Sequence, residues 1–326
     1  MYEHGISVVI PNYNGISLLP HTLPPLFTAL KKSGKPYEVI IVDDLSTDSS
    51  VSFIRAQFPD IILMQNEKNA GFSKTVNRGV SIAKYSRTLI LNSDVKLTPN
   101  YFQNLDRYFS LPKTFGVMSK IIGWEDDVVQ DGGKYPHFHG VKIKTSKNYI
   151  PLNVDSNDHF YSIYLSGANA LVSTELFKKI GGFNELFSPF YVEDFELGLR
   201  AWRLGYILYF DPFTTCKHKV SATIASKEKR KHVRRIYNRN KMLLHFIHLP
   251  QKQLKAWSIS VGAELIWSAI TLRFYYLNAF SDFIAMKKEA ITYRQQLEQQ
   301  HELLSVPEVS EKIKSQLSKF HLQFFG

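Results

Sequence analysis

The sequence predicts an α/β fold in which a mostly parallel sheet is flanked by helices. Short β-rich segments alternate with helical segments through the first half of the chain, and that alternation is typical of parallel βαβ units. Polar residues follow each of four predicted strands, at the sheet edge where α/β proteins bind their ligands. The chain has 326 residues, 44% of them hydrophobic, which is enough for one large domain and an appendage.

The four strands are short, apolar and rich in β-branched residues, and they are predicted at 6–10, 37–42, 61–64 and 88–91. Helices are predicted between them at 16–32, 49–57 and 73–83. The pair Pro24-Pro25 is expected to bend the first helix, because proline cannot donate a backbone hydrogen bond.

Residues 120–160 are rich in Gly, His, Tyr and Lys and predict an irregular segment that covers a site. Regular structure is expected to resume with a strand-like run at 163–172, followed by a helix to Ile180. A helix at 194–204 and a strand at 206–210 are predicted next.

The character of the chain changes at about residue 250. Residues 257–286 are apolar but contain charged residues, namely Glu264, Arg273 and Asp282. No apolar run reaches the roughly 18–20 residues that a membrane-spanning helix needs. An amphipathic helical hairpin, packed on the domain or lying in a membrane surface, is predicted instead. We divide the chain into a domain at 1–248, with halves at about 1–118 and 119–248, and a helical region at 249–326.

The positive charge of the chain is concentrated in one segment. The formal net charge is +11, and residues 227–241 hold eight Lys or Arg against one Glu. A helix there would place one set of cations on a single face, namely Lys227, Arg230 or Lys231, Arg234 and Lys241. A solvated face is one interpretation; anionic lipid headgroups are favoured because an apolar hairpin follows. Nucleic acid is not expected, because no nucleic-acid-binding motif accompanies the run.

The cysteine content and the N-terminus bear on location. Cys216 is the single cysteine, so an intrachain disulfide is excluded. The N-terminal residues lack the basic and apolar regions of a signal peptide. A cytoplasmic location is expected, with peripheral contact at the inner face of the cell membrane.

Two carboxylates, Asp43 and Asp44, follow the second strand. Adjacent carboxylates repel each other and need donors or a cation, and at a strand end they can accept hydrogen bonds from a base or a ribose. Capping of the next helix by Ser46 or Asp48 is the alternative.

Polar residues also follow the third and fourth strands. Asn92, Ser93 and Asp94 offer one carboxylate to a weakly held Mg²⁺ or Mn²⁺, which completes its shell with phosphate and water; in isolation, a simple turn is the better interpretation. Gly71 opens a helix whose first amides suit a phosphate, although Asn and Gly are also common helix caps.

Two later features carry titratable groups. Glu193 and Asp194 begin a helix after the aromatic segment 187–191, where a carboxylate beside apolar rings can accept a proton; acidic residues are also ordinary partners of a helix N-terminus. His218 can complete a metal shell or contact a diphosphate, although a lone His is more often structural or exposed.

The order of these motifs resembles family 2 glycosyltransferases, in the bacterial branch that builds surface polysaccharides and includes rhamnosyltransferases. The donor-half motifs are residues 6–15, 42–48, 69–72 with Asn77, and 91–94. The acceptor-half motifs are residues 166–168, 181–185 and 191–200, with His218 and residues 238–240 also matching the bacterial branch.

The resemblance implies a GT-A fold, a Rossmann-like mixed sheet with a C-terminal helical appendage. It also implies an inverting, metal-assisted transfer from a nucleotide-sugar to a glycan or lipid-linked glycan in polysaccharide and cell wall biogenesis. Asp194 matches the base, and Glu193 matches the residue that orients the acceptor. Asp94 and His218 match the ligands of Mg²⁺ or Mn²⁺. The implied donor contacts are Pro11, Asn12, Tyr13, Asn14, Asp43, Asp44, Asn69, Gly71, Phe72, Asn77, Asn92 and Ser93. The implied acceptor contacts are Gly167, Ala168 and Glu193.

The sequence departs from the family pattern at two positions. Asn92 stands where the metal motif often has an acidic residue, and Asn184 stands where an aspartate is usual. The first departure leaves room for a non-catalytic protein that keeps the fold and binds a sugar nucleotide or a membrane. A nucleotidyltransferase is the other alternative, but the turn at 11–15 lacks the Lys or Arg that its phosphate loop would carry.

Overall fold

The computed structural model describes residues 2–219, 227–300 and 302–326. Its strands are Glu3–Asn12 (β1), Tyr37–Asp43 (β2), Ile62–Gln65 (β3), Tyr85–Leu91 (β4), Val95–Leu97 (β5), Thr114–Gly123 (β6), Val129–Asp131 (β7), Gly133–His139 (β8), Lys142–Leu152 (β9), Phe160–Tyr161 (β10), Asn169–Ser173 (β11), Ile207–His218 (β12) and His321–Phe325 (β13). Its α-helices are Leu19–Ser33 (α1), Ser50–Gln57 (α2), Phe72–Ser81 (α3), Tyr101–Leu105 (α4), Thr174–Lys179 (α5), Glu193–Arg203 (α6), Lys227–His248 (α7), Gln251–Ile270 (α8), Phe274–Ala285 (α9), Lys287–Glu298 (α10) and Val306–Leu317 (α11).

A mixed sheet forms the centre of the molecule. Within the described residues its strand order is β10-β12-β6-β11-β4-β1-β2-β3, with β5 beside β12 and β7 beside β6. Strands β4, β1, β2 and β3 are parallel, as the alternation of strands and helices predicted. The antiparallel strand β11 joins them to β6 and β12. This α/β architecture with flanking helices confirms the predicted fold class.

The predicted elements of the first half are confirmed, with boundaries that shift by a few residues. Strand β4 begins at Tyr85, three residues earlier than predicted, and α1 begins at Leu19 rather than at residue 16. Helix α1 contains both Pro24 and Pro25, and its leucine face, including Leu23 and Leu26, is fully buried. Packing of that face against the sheet outweighs the hydrogen bonds that the prolines remove.

The prediction of an irregular segment at 120–160 is wrong. Strands β7, β8 and β9 lie there, and β8 and β9 pair antiparallel in a second sheet. The third strand of that sheet is β13, at the far end of the chain, so the tail is not helical throughout. Pairing between segments about 170 residues apart leaves no local signal in polar strands such as these.

Two further strand predictions are corrected. In the predicted run 163–172, only the last part is a strand, β11, which ends at Ser173. Strand β12 does not end at Phe210 but continues to His218. The register of β12 against β6 shifts between Asp211 and Thr215, and such an irregularity accommodates Pro212 within a strand.

The C-terminal helices pack on the sheet. Val309, Ile313 and Leu317 of α11 are fully buried and belong to the same hydrophobic core as α6 and β12. Helices α8 and α9 form the expected hairpin, and α7 packs along α9. Among the described residues, no helix is both long enough and apolar enough to cross a membrane.

Candidate functional site

A cavity of about 370 Å³ lies at the carboxyl ends of β1, β2 and β4. The turn after β1, the N-terminus of α3 and the segment after β4 all border it. Its lining residues are Pro11, Asn12, Tyr13, Asp44, Asn69, Gly71, Phe72, Thr75, Asn92, Ser93, Asp94, Pro189 and Phe190. Two carboxylates predicted to share a site, Asp44 and Asp94, therefore border one cavity, because parallel strands end at the same sheet edge.

Asp44 organises the loop that begins α3. One of its carboxylate oxygens accepts hydrogen bonds from the Asn66 side chain and the Ala70 amide, both at 2.7 Å, and the other accepts from the Gly71 amide at 2.9 Å. Asn69 donates to the Asp44 carbonyl at 3.4 Å. The carboxylate thus faces the helix N-terminus, where the helix dipole favours negative charge.

Asp43 does not border the cavity. It is fully buried and accepts hydrogen bonds from the Ser46 amide at 2.9 Å and from the Asn12 side chain at 3.2 Å. Asn14 joins the same two loops, because its side chain accepts from the Thr47 amide at 2.8 Å. These residues fix the turn after β1 against the segment after β2.

Asp94 and His218 form the polar pair at the other side of the cavity. The His218 Nε2 lies 3.3 Å from an Asp94 carboxylate oxygen, and the His218 Nδ1 lies 3.0 Å from the Gln130 side-chain oxygen. The hydrogen bond with Asp94 raises the pKa of His218. The extension of β12 beyond Phe210 places the histidine there, because β12 pairs antiparallel with β5, which follows Asp94 directly.

Glu193 and Asp194 begin α6. Burial raises the pKa of Glu193 well above its ordinary value, and the charge of Asp194 adds to this shift. Burial also raises the pKa of Asp194, against the lowering effect of Lys134 and of backbone hydrogen bonds from Phe195 and Gly167. The Glu193 Oε2 is buried without a hydrogen-bond partner among the described residues. Both carboxyl groups therefore hold protons more tightly than exposed ones.

Asp194 does not border the large cavity. With Gly167 and Phe183 it lines a neighbouring space of about 10 Å³. The Phe72 ring, which borders the large cavity, packs on Gly167, since a Cβ built on that glycine would lie 3.1 Å from the ring. The Phe72 ring thus contacts a residue that lines the smaller space. Asp131 lies close enough to both His218 and Asp194 to raise the pKa of each.

Of the remaining residues implied by the resemblance, Asn77 lies outside the cavity. Its side chain donates to the Phe183 carbonyl at 2.8 Å and accepts from the Phe183 amide at 2.9 Å, which ties α3 to the segment before α6. The carbonyl of Ala168 accepts from the Asn92 amide at 3.1 Å, so the residue lies beside the metal motif.

Some residues of the site were missed by the sequence analysis. Thr75 borders the cavity from the first turn of α3, and the Gly71 helix start could have suggested it. Gln130 orients His218 from β7, in the segment that was predicted to be irregular. Trp124 donates to the Asp94 carbonyl at 3.1 Å. Nothing in the local sequence distinguishes the last two from surface residues.

Gly71 makes possible the close contact between the cavity rim and segment 187–191. Its backbone has φ 82° and ψ 172°, a conformation that is essentially limited to glycine, and a Cβ there would lie 2.6 Å from the Pro189 Cα. Gly71→Ala is expected to weaken binding of the nucleotide that the resemblance implies by about 10-fold, because the loop that Asp44 holds must shift. Calorimetric titration with nucleoside diphosphates measures the change.

Gly34→Ala is the matched control for this prediction. Gly34 also has a positive φ, 67°, but no atom lies within 4 Å of its Cβ position, and it ends α1 away from the cavity. Unchanged affinity is expected for this variant. Wild-type affinity in Gly71→Ala would show that the close contact between Gly71 and Pro189 does not support nucleotide binding.

The comparisons with known proteins identify the family. The model of glycosyl transferase family 2 matches residues 7–181, more than half of the chain. Chondroitin synthase of Escherichia coli is 25% identical over 232 residues, covering 62% of this chain and 32% of that protein. Undecaprenyl-phosphate 4-deoxy-4-formamido-L-arabinose transferase of Pectobacterium atrosepticum is 32% identical over 110 residues, covering 32% of this chain and 34% of that protein. The chain thus spans about a third of the length of either relative.

A solved structure shows the same fold. The crystal structure of GalNAc-T7 with UDP, GalNAc and Mn²⁺ matches 97% of this chain and 58% of that chain, with a TM-score of 0.66 at 16% identity. The fold is therefore GT-A, as the order of the motifs predicted. The chain belongs to glycosyl transferase family 2.

Proposed function

We propose that this protein is an inverting glycosyltransferase that moves a sugar from a nucleoside diphosphate donor to a hydroxyl group of a glycan or lipid-linked glycan. The observation that carries the proposal is the single cavity bordered by the turn after β1, by Asp44, by the start of α3 and by Asp94. Chondroitin synthase and the undecaprenyl-phosphate transferase among its relatives favour an acceptor of this class, in polysaccharide and cell wall biogenesis.

The cavity suits a nucleoside diphosphate. Of the residues implied as donor contacts, Pro11 to Tyr13 and Asp44 lie at one end, and the N-terminus of α3 lies beside them. Asp43 and Asn14 do not border the cavity. The dipole of α3 favours negative charge at its N-terminus, although the Gly71 and Phe72 amides already donate to Asp44 and to the Pro189 carbonyl. The structure of GalNAc-T7 contains UDP, which supports a nucleotide donor in this fold.

The residues at the other end fit a divalent metal ion. Among the described residues, no group of three or more His, Cys, Asp or Glu side chains is arranged as a metal site, but Mg²⁺ and Mn²⁺ need few protein ligands when phosphate and water complete the shell. Asp94 and His218 would hold the ion, and Gln130 would orient the imidazole through its other nitrogen. When bound, the ion would stabilise the negative charge of the departing diphosphate. The structure of GalNAc-T7 contains Mn²⁺.

Asp194 is proposed as the base. In a single displacement, the acceptor oxygen forms a bond to the anomeric carbon while the bond from that carbon to the diphosphate breaks, and the acceptor proton passes to the Asp194 carboxylate. Its raised pKa suits this role, because a base is most effective near the working pH. Glu193 beside it would orient the acceptor. The acceptor hydroxyl must approach both the anomeric carbon of the donor, in the large cavity, and the Asp194 carboxylate, beside the smaller space. We therefore expect the Phe72 ring to move when substrates bind.

A transfer assay tests the proposal. The protein is incubated with a panel of labelled nucleotide-sugars and candidate acceptors, with and without Mn²⁺. We expect release of a nucleoside diphosphate and a product of inverted anomeric configuration, faster with the metal. Release of inorganic diphosphate would favour a nucleotidyltransferase, and absence of both transfer and donor hydrolysis would favour a non-catalytic binding protein.

We further propose that the C-terminal hairpin lies on an anionic membrane surface at the inner face of the cell membrane. Ile270, Leu272 and Phe274, at the turn between α8 and α9, are 60–69% exposed. Exposed cations of α7, including Lys231 and Arg234, lie on the helix that packs along α9. The Arg234 guanidinium is 5.8 Å from the ring of Tyr275, the neighbour of Phe274. Exposed apolar residues beside cations are typical of membrane-surface segments.

The predicted cationic face of α7 is only partly present. Arg230, Lys231 and Arg234 are exposed, but Lys241 turns inward and donates to the Ile143 carbonyl at 2.8 Å. Burial lowers the pKa of Lys241 to about 8. The Lys227 side chain lies outside the described part of the structure. The first half of α7 therefore carries the surface charge.

Charge reversal tests the membrane contact. The double variant Lys231→Glu, Arg234→Glu is expected to bind vesicles containing anionic lipid at least about 30-fold more weakly. Each cation near such a surface contributes about 1 kcal/mol, so loss of the two cations alone accounts for this factor, and the two added carboxylates repel the surface further. Lys31→Glu, Lys32→Glu changes the same charge on an exposed part of α1 and should bind like the wild type. Vesicle sedimentation measures both. Equal losses in the two variants would show a nonspecific charge effect and contradict the proposed surface.

A further inference from the structure

Segment 187–192 connects the cavity with Glu193 and Asp194. Pro189 and Phe190 border the cavity, and the Pro189 carbonyl accepts a hydrogen bond from the Phe72 amide at 2.9 Å. The segment then leads directly into α6, where the Val192 carbonyl accepts the hydrogen bond from the Glu196 amide at 2.9 Å. Its conformation thus sets the position of the first turn of α6 relative to the cavity.

The end of segment 187–192 has an unfavourable backbone conformation. Tyr191 and Val192 have φ values of 71° and 75°, in the left-handed region that residues other than glycine rarely adopt. For a β-branched residue such as Val192 the steric cost is greater still. Such a conformation persists only where surrounding contacts hold it.

Those contacts come from Asn240 on α7. Its side-chain amide nitrogen lies 2.7 Å from the Phe187 carbonyl, 3.0 Å from the Phe190 carbonyl and 2.7 Å from the Tyr191 carbonyl. Asn240 is 0% exposed, so water cannot take over these hydrogen bonds. One amide nitrogen, whose two hydrogens are shared among three carbonyls, therefore provides hydrogen bonds to both ends of the segment.

Arg239 fixes the orientation of this amide. Its guanidinium donates to the Asn240 side-chain oxygen from two nitrogens, at 2.9 and 2.7 Å, which leaves the amide nitrogen facing the segment. The same guanidinium also donates to the Ser188 carbonyl. An oxygen in place of the nitrogen would face three carbonyl oxygens and repel them.

We propose that Asn240 is a positioning residue for the transfer reaction: by binding the carbonyls of segment 187–192 it holds the Glu193-Asp194 turn against the donor cavity. This inference rests on the proposed function of the site. It assigns to α7, outside the residues matched by the family model, a part in the geometry of catalysis. Asn240 itself touches neither cavity, and it acts through the segment.

The test compares Asn240→Asp with Asn238→Asp. Both variants replace the same amide on the same helix. Within the described part of the chain, however, the one hydrogen bond of the Asn238 side chain goes to the Arg234 carbonyl one turn away, at 2.7 Å in an exposed position. Hydrogen–deuterium exchange of peptides covering 185–199 should rise in Asn240→Asp and stay unchanged in Asn238→Asp. We expect kcat to fall about 100-fold in Asn240→Asp, since misplacement by about 1 Å has an effect of this size, with the KM for the donor changed far less.

Asn240→Ala is a second variant in case Asn240→Asp does not fold, because it removes the hydrogen-bond donor without adding a charge. We expect it to raise exchange and to lower kcat by less than Asn240→Asp does. Faster exchange together with a wild-type kcat at a temperature well below melting would overturn the inference and leave a purely structural role. Unchanged exchange at 185–199 in both Asn240 variants would overturn it as well. Wild-type protein that transfers no sugar would instead refute the proposed function, and the exchange measurement would still report on the contact.

Discussion

Asp194→Asn should lower the turnover number by about 100-fold or more while donor affinity stays nearly unchanged. The amide keeps the size of the carboxyl group but cannot accept the proton of the acceptor hydroxyl. Asp194 lies outside the cavity that Asp44 and Asp94 border, so nucleotide contacts should survive the substitution. Steady-state kinetics and calorimetric titration of the donor separate the two effects.

The pH dependence of the wild type should show the same group. Burial raises the pKa of Asp194, so the rate should fall as the pH drops through a value above the ordinary range of aspartate. At a higher pH the carboxylate is ionised and can act as a base. Asp194→Asn should lose this acidic limb of the profile.

Two further variants serve as comparisons for this prediction. Asp60→Asn alters an exposed carboxylate far from the site and should have wild-type kinetics. Glu193→Gln should lower kcat less than Asp194→Asn does, and it should raise the KM for the acceptor. Wild-type turnover in Asp194→Asn would show that the base assignment is wrong, and a larger loss in Glu193→Gln would transfer the role to Glu193.

Asp94→Asn is expected to reduce activity about 100- to 1,000-fold and to abolish its dependence on Mn²⁺, because removing electrostatic stabilisation of a developing charge has effects of this size. His218 would then be the single remaining protein ligand of the proposed site. In the wild type, a chelator should remove most of the activity, and added Mn²⁺ should restore it. Assays over a series of metal concentrations give the apparent metal affinity of each variant.

Asp127→Asn is the control for the metal prediction. Asp127 forms an ion pair at 2.6 Å with Lys217, the residue before His218. The Asp127 side chain is 67% exposed. Asn92→Asp provides a gain-of-function comparison, since it restores the carboxylate that the family motif often carries and should tighten Mn²⁺ binding. Metal-dependent activity that is unchanged in Asp94→Asn would contradict the assignment.

The sequence could predict the sheet and one edge of the site because both depend on local patterns. Asp44 and Asp94 each follow an apolar strand, and parallel strands place such residues at a common edge. Asn12 likewise ends β1 at this edge, where it lies opposite Asp43 in the register of β1 and β2.

The remaining parts depend on contacts between distant segments. Strand β13 pairs with β9 across about 170 residues, and Gln130 reaches His218 across 88, and neither contact leaves a periodic pattern in the sequence. The length of β12 was underestimated because Pro212 is a strand breaker except at an irregularity. Asn240 lies in a basic segment, whose charge predicts a surface contact. In the structure, its side chain is buried and binds the carbonyls of segment 187–192.

The cavity beneath the turn after β1 is proposed to bind a nucleoside diphosphate with a metal ion at Asp94. Calorimetric titration of wild-type protein and Asp94→Asn with uridine and guanosine diphosphates, with and without Mn²⁺, measures this directly. One of the nucleotides should bind more tightly to the wild type when Mn²⁺ is present, and Asp94→Asn should lose this enhancement. Failure of both nucleotides to bind, or equal enhancement in the two proteins, would contradict this proposal.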